Sequence, residues 1–182
     1  MRKILLTTAI AAVLGMFVIG TMLTAEENGT RLASENPQID YLGFVRQVQE
    51  VAEVREKRRV SEDEFIRMMD DSETIVLDAR SKRMYDLLHV KGAVHISLPD
   101  MTAEDLAKLI PQKDTRVVIY CNNNFKNEPK AFAPKSPIAS LNLNTYNTLY
   151  SYGYRNIYEL KPLLDRNKTK IPFAGTSVEE TK

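Results

Sequence analysis

The sequence predicts a single α/β domain: a mostly parallel central sheet with helices on both faces. Two observations predict it. The runs "TIVLDA", "GAVHISL", "RVVIYC" and "NIYEL" are short, apolar and largely β-branched, as strands buried on both faces are. Between them lie segments with helical periodicity and start signals, and strands alternating with helices connect by right-handed crossovers into a parallel sheet.

The elements follow in order. From Tyr41 to Lys57 the pattern is helical, with Phe44, Val45, Val48, Val51 and Ala52 on one side and Arg46, Glu50, Glu53 and Glu56 on the other. A short edge strand is expected near Arg59–Val60. Ser61 and Glu64 then form a capping-box pattern that opens a helix carrying Phe65, Met68 and Met69. Thr74–Ala79 is a buried strand, and "SKRMYDLLH" a short helix showing Met84, Leu87 and Leu88. A glycine turn leads into the strand Gly92–Leu98. Thr102–Ile110 reads as a helix with Asp105 at the capping-box position, stopped by Pro111. Arg116–Cys121 is the next strand. A helix from about Ser140 shows Leu143, Tyr146 and Tyr150 and ends at Gly153, before the strand Asn156–Leu160. The segment after Leu164 (165–182) is polar and is expected to be a loose tail.

The 182 residues suit one ordinary domain with extra segments at its ends, and 43% are hydrophobic, enough for a packed core. Lys plus Arg number 25 against 24 Asp plus Glu, a net charge of +1. That balance gives no reason to expect nucleic acid as a partner. Residues 1–25 place Arg2 and Lys3 before an apolar, uncharged run from Ile4 to Leu23, the pattern of a secretory signal peptide. The run is also long enough to serve as an uncleaved signal anchor, and a membrane contact is expected only in that case. Residues 26–40 read as a linker. The folded part is expected across the membrane, in a bacterial periplasm, released or anchored.

Cys121 is the lone cysteine, so no internal disulfide can form. By itself it reads equally as a buried structural cysteine or a reactive thiol. Its position favours the reactive thiol: ligands of open parallel sheets bind beyond the carboxyl ends of the strands, and Cys121 ends a central strand. Asp78 and Arg80 end another.

The residues Asp78-Ala-Arg80, Tyr85, His89-Val-Lys-Gly92-Ala93 and Ile96, the strand "VVIYC", and the closing "YSYGYRNIYEL" resemble the rhodanese homology domain over residues 58–164. The resemblance implies a three-layer rhodanese-like fold, preceded here by the signal segment and the extra helix 41–57. It implies a sulfurtransferase with Cys121 as catalytic nucleophile, passing sulfane sulfur through a persulfide. The implied partners are a small sulfur-containing donor and a nucleophilic acceptor, a protein thiol among the candidates; no metal or organic cofactor is needed. Asp78 and Arg80 are expected as a buried pair supporting the site, with His89 structural beside them.

The chain departs from the family in the loop after the cysteine. Members carry a compact loop with arginines, whereas here no arginine stands between Cys121 and Arg155, and the helix begins only near Ser140. Substrate contacts are therefore expected from Asn122, Asn123, Asn124, Phe125, Lys126 and Lys135; Lys126, Lys130 and Lys135 are the candidates to replace the missing charge, and Lys135, nearest the helix start, is preferred. The asparagines would shape the turn, since Asn tolerates left-handed backbone.

Other classes fit less well. A phosphatase of related fold needs Cys-x5-Arg, but Asn127 stands where that arginine would be. A cysteine hydrolase needs a base, and neither His89 nor His95 is spaced to serve Cys121. The remaining alternative is a catalytically weak or inactive module of the same fold. It would bind a periplasmic partner, or handle thiol and persulfide redox, through a long loop presenting Phe125, Phe132, Pro129, Pro134 and Pro137.

Overall fold

A computed structural model describes residues 36–179. The expected signal segment 1–25, most of the linker, and residues 180–182 lie outside them. The chain divides into two compact units, Met1–Arg46 and Gln47–Lys182. In the first, Asp40 starts helix α1 (Tyr41–Glu56): its Oδ1 accepts the Gly43 N–H at 2.7 Å.

The second unit holds the sheet. Its strands are β1 (Arg59–Val60), β2 (Thr74–Asp78), β4 (Val94–His95), β5 (Arg116–Tyr120) and β7 (Ile157–Leu160), in the order β1-β7-β5-β2-β4 and all parallel. Side-chain alternation sorts β5 between two cores. Val118 and Tyr120 pack with Phe65 of α2 (Glu62–Met69) and with Leu88 and Val90, around α3 (Lys82–Leu87) and β3 (His89–Val90). Val117 and Ile119 pack with Val51 of α1, Leu106 of α4 (Ala103–Leu109), and Tyr146 and Leu149 of α5 (Leu141–Ser151). Three layers result, as expected.

The start signals act as read. Ser61 and Glu64 form a reciprocal capping box, and Thr102 Oγ1 accepts the Asp105 N–H at 3.1 Å. Gly92 and Gly153 take φ of 82° and 89°, conformations that suit glycine at the turn before β4 and at the end of α5.

Three expectations need correction. The strand expected over Gly92–Leu98 is confined to Val94–His95. The docking side of α1 is turned from the apolar stripe: Val51 is buried, but Val48 and Ala52 are exposed. The helix is held instead by polar contacts, Gln47 Nε2 donating to Asn147 O at 2.8 Å and Arg55 engaging Glu159. Helix propensity and amphipathicity cannot anticipate a buried carboxylate on the surface the helix meets.

Nor is the segment after Leu164 loose. It forms β8 (Leu164–Asp165), β9 (Phe173–Ala174) and α6 (Thr176–Glu179). β9 runs antiparallel to β3, Ile171 is buried, and Phe173 meets Phe125 and Phe132 edge-on. Its few apolar residues decide its place, although most of its residues are polar.

Candidate active site

Strand β5 delivers Cys121 at the carboxyl edge of the sheet, one residue beyond the strand end, with its side chain nearly inaccessible. The local chain is fixed by Asn124. Residues Asn122–Asn124 make a short 3-10 turn, so that the Asn124 amide donates to Cys121 O at 3.1 Å while Asn124 Oδ1 accepts the Cys121 N–H at 2.9 Å. The same Oδ1 accepts Asn142 Nδ2 at 3.0 Å, and Asn124 Nδ2 donates to Leu160 O at 2.7 Å and Pro162 O at 3.2 Å. One buried amide thus ties the ends of β5 and β7 to the start of α5. The Cys121 Sγ lies 3.5 Å from the Oγ of Ser140, the N-cap residue of α5, so the sulfur meets the end of a helix that favours negative charge.

The loop beyond is ordered, not open. β6 (Phe125–Lys126) pairs in parallel with β8, Asn127 adopts φ 67°, and the Phe132 amide donates to Glu128 O at 2.8 Å. Asn123 then fastens the loop's far end, its Oδ1 accepting Lys135 N and its Nδ2 donating to Lys135 O, both at 2.9 Å.

Beneath it, Arg80 and Asp78 form the expected buried pair, with Nη2–Oδ2 at 2.6 Å and Nε also donating to Asp78. The Arg80 guanidinium donates further to Ala131 O (2.9 Å) and Leu88 O (2.7 Å), and Tyr120 donates to Asp78. Burial alone would push the Arg80 pKa down, but the Asp78 carboxylate and its hydrogen bonds hold it above its usual value. Burial first, then the Asp78 charge, pushes the Tyr120 phenol well above its usual value. The pair therefore anchors the long loop to the sheet. His89 stacks on Tyr85 with ring centroids 3.8 Å apart and donates from Nδ1 to Tyr85 O at 2.7 Å, a structural role. His95 donates from Nε2 to Arg80 O.

Cys121 opens on a cavity of about 210 Å³, which Asn123, Asn124, Ser140 and Asn142 also line. Its charges come from Arg55, Arg59, Glu159 and Lys161. Glu159, 3% exposed, accepts both Arg55 Nε and Nη2 at 2.6 Å, a bidentate charge-assisted pair. The parallel register sets Arg59 of β1 directly beside Glu159 of β7.

The expected contacts divide accordingly. Asn123 and Asn124 line the cavity; Asn122, Phe125, Lys126 and Lys135 do not. Asn122 borders two neighbouring cavities. Phe125 and Phe132 are largely buried in a shared aromatic cluster, and with Pro129 and Pro134 they line one of these neighbouring cavities, of about 450 Å³. Lys126, Lys130 and Lys135 are exposed, and none of them lines the cavity of Cys121. Arg55 of α1, Arg59 of β1 and Lys161 after β7 are not among the expected contacts, because all three stand far from Cys121 in the sequence. The available signal was Glu159: a carboxylate inside the apolar strand "NIYEL" requires a cation, and "EVREKRRV" supplies several.

The family model for the Rhodanese-like domain matches residues 61–161. The chain belongs to the rhodanese-like family. In solved structures, this rhodanese-like chain is similar to the rhodanese-like domain of an Anabaena protein, at 18% identity and TM-score 0.49 over 66% of this chain and 81% of that one. It is similar to a Bacillus halodurans protein at 18% identity and TM-score 0.49, over 71% and 83%. A thiosulfate sulfurtransferase of Pseudomonas aeruginosa aligns at 19% identity and TM-score 0.41, over 64% of this chain and 20% of that one. No curated protein matches the chain.

Proposed function

We propose that this rhodanese-like chain is a thiosulfate-type sulfurtransferase that moves sulfane sulfur through a persulfide on Cys121. The observation that carries the reading is the placement of Cys121. The thiol stands at the carboxyl edge of the parallel sheet, against the N-cap of α5, and opens on a cavity bearing three cationic side chains and one carboxylate. A thiolate there attacks the outer sulfur of the donor. The S–S bond of the donor breaks, and for thiosulfate sulfite leaves with the electron pair. The terminal sulfur of the Cys121 persulfide is then attacked by an acceptor nucleophile, a thiolate or cyanide, and Cys121 leaves as thiolate. Electrons balance within donor and acceptor, so no oxidant, metal or organic cofactor takes part.

The chain's own residues prepare this step. Asn124 fixes the Cys121 backbone from both sides, and Ser140 Oγ can donate to sulfur in either the thiolate or the persulfide anion. The partners on this reading are a small sulfur donor and a nucleophilic acceptor, a protein thiol among them. The basic and apolar N-terminal stretch supports a periplasmic location, released or anchored.

The test is transfer of sulfur from thiosulfate to cyanide, read as thiocyanate. The full chain should form thiocyanate and Cys121→Ser should not. Equal rates in the two, or none in either with thiosulfate, polysulfide or mercaptopyruvate as donor, would refute the reading.

A further inference from the structure

The cations of the Cys121 cavity are not equivalent. Arg55 is committed: its Nε and Nη2 both serve Glu159 at 2.6 Å. Arg59 is not. Its Nη1 donates to Glu56 Oε2 at 3.0 Å, but its Nε stands 3.7 Å from Glu159 Oε1 and is buried without a hydrogen-bond acceptor. A donor buried without an acceptor costs free energy that a bound acceptor would recover. Lys161 Nζ lies 3.8 Å from the other oxygen of the same Glu56. Glu56 is 57% exposed, and its carboxyl is held below its ordinary pKa by the hydrogen bond and charge of Arg59, with Lys161 adding to it. Two cations at the rim of the cavity therefore share one exposed carboxylate.

We propose that Arg59 and Lys161 form the subsite for the oxyanion end of the sulfur donor, and that Glu56 competes with that ligand for both cations. The inference rests on the sulfur-transfer reading for its ligand class, a sulfane sulfur carried on a sulfonate-like group. Thiosulfate and organic thiosulfonates share that chemistry. With Glu159 neutralised by Arg55, the cavity keeps positive charge for such a group, and the planar Arg59 fork suits its oxygens. With no arginine in the loop after the cysteine, the free charge is here supplied from β1 and from the residue after β7.

The experiment uses the full chain carrying Cys121→Ser, so that binding is seen without chemistry. Thiosulfate is titrated at ionic strength held constant with chloride, and binding is read from the rise in thermal midpoint. Arg59→Gln and Lys161→Gln should each bind roughly tenfold more weakly, the weight of a charge-assisted hydrogen bond. Glu56→Gln should bind several-fold more tightly. Arg59→Lys, which keeps the charge without the fork, should fall between. Arg55 still holds Glu159 in all of them, and Glu56→Gln changes an exposed residue, so a failure of one variant to fold leaves the others decisive.

The same four substitutions, made with Cys121 intact and assayed for thiocyanate, separate the two readings. Binding that follows the cations without any sulfur transfer leaves the anion subsite standing and refutes the transfer reading. Transfer with affinities unmoved by Arg59→Gln, Lys161→Gln and Glu56→Gln, or no stabilisation of Cys121→Ser by thiosulfate, overturns the subsite.

Discussion

Asn124 shows how much one side chain can carry at the edge of a parallel sheet. Its amide serves Cys121, Asn142, Leu160 and Pro162, the first three of them buried. Asn124→Ala leaves these buried groups unpaired, and the expected loss is about 3 kcal/mol, measured by urea unfolding. Its slower sulfur transfer should exceed what lost stability explains, because the Cys121 amide loses its acceptor. The Asp78–Arg80 pair was legible in the sequence, since charges two apart at the end of a buried strand must satisfy each other. Arg59 was not, because its meeting with Glu159 depends on parallel register between strands nearly a domain apart in the chain.

The loop between β5 and α5 is the element in which sequence and structure differ most. Length and proline content suggested an exposed binding loop. The deciding residues are Phe125 and Phe132, whose rings lie 4.7 Å apart and close over the core with Phe173. Aromatic residues in a polar stretch mark either a surface or a plug, and only the position of the segment after Leu164 distinguishes them. The loop turns at Asn127, whose φ of 67° disfavours a β-branched side chain. Asn127→Val should cost about 1–2 kcal/mol in urea unfolding, and Asn127→Gly much less. An equal cost in both would place the loss in the side chain's hydrogen bond to Asp165 and not in the backbone. Helix α1 teaches the complementary lesson: its apolar stripe was legible, but its docking side was set by Glu159 of β7.

At the scale of the whole molecule, order and class were legible because the strands are short, apolar and alternate with capped helices. The parallel sheet was legible with them, whereas its strand order β1-β7-β5-β2-β4 comes from the structure. The same core predicts alkaline sensitivity. Burial pushes the Tyr146 phenol up to about 12, and Tyr120 higher than its usual value as well. A phenol raised in the folded state contributes stability that is whole below its unfolded value near 10. That contribution is lost as pH climbs through the folded value. The urea midpoint should therefore fall between about pH 10 and 12, and Tyr146→Phe should flatten part of that fall. The central claim, however, concerns Cys121, and intact-mass spectrometry of the full chain after incubation with thiosulfate tests it most directly. The account predicts a gain of one sulfur atom, about 32 Da, on Cys121, removed by cyanide and absent in Cys121→Ser. An unchanged mass, or the same gain in Cys121→Ser, would contradict it.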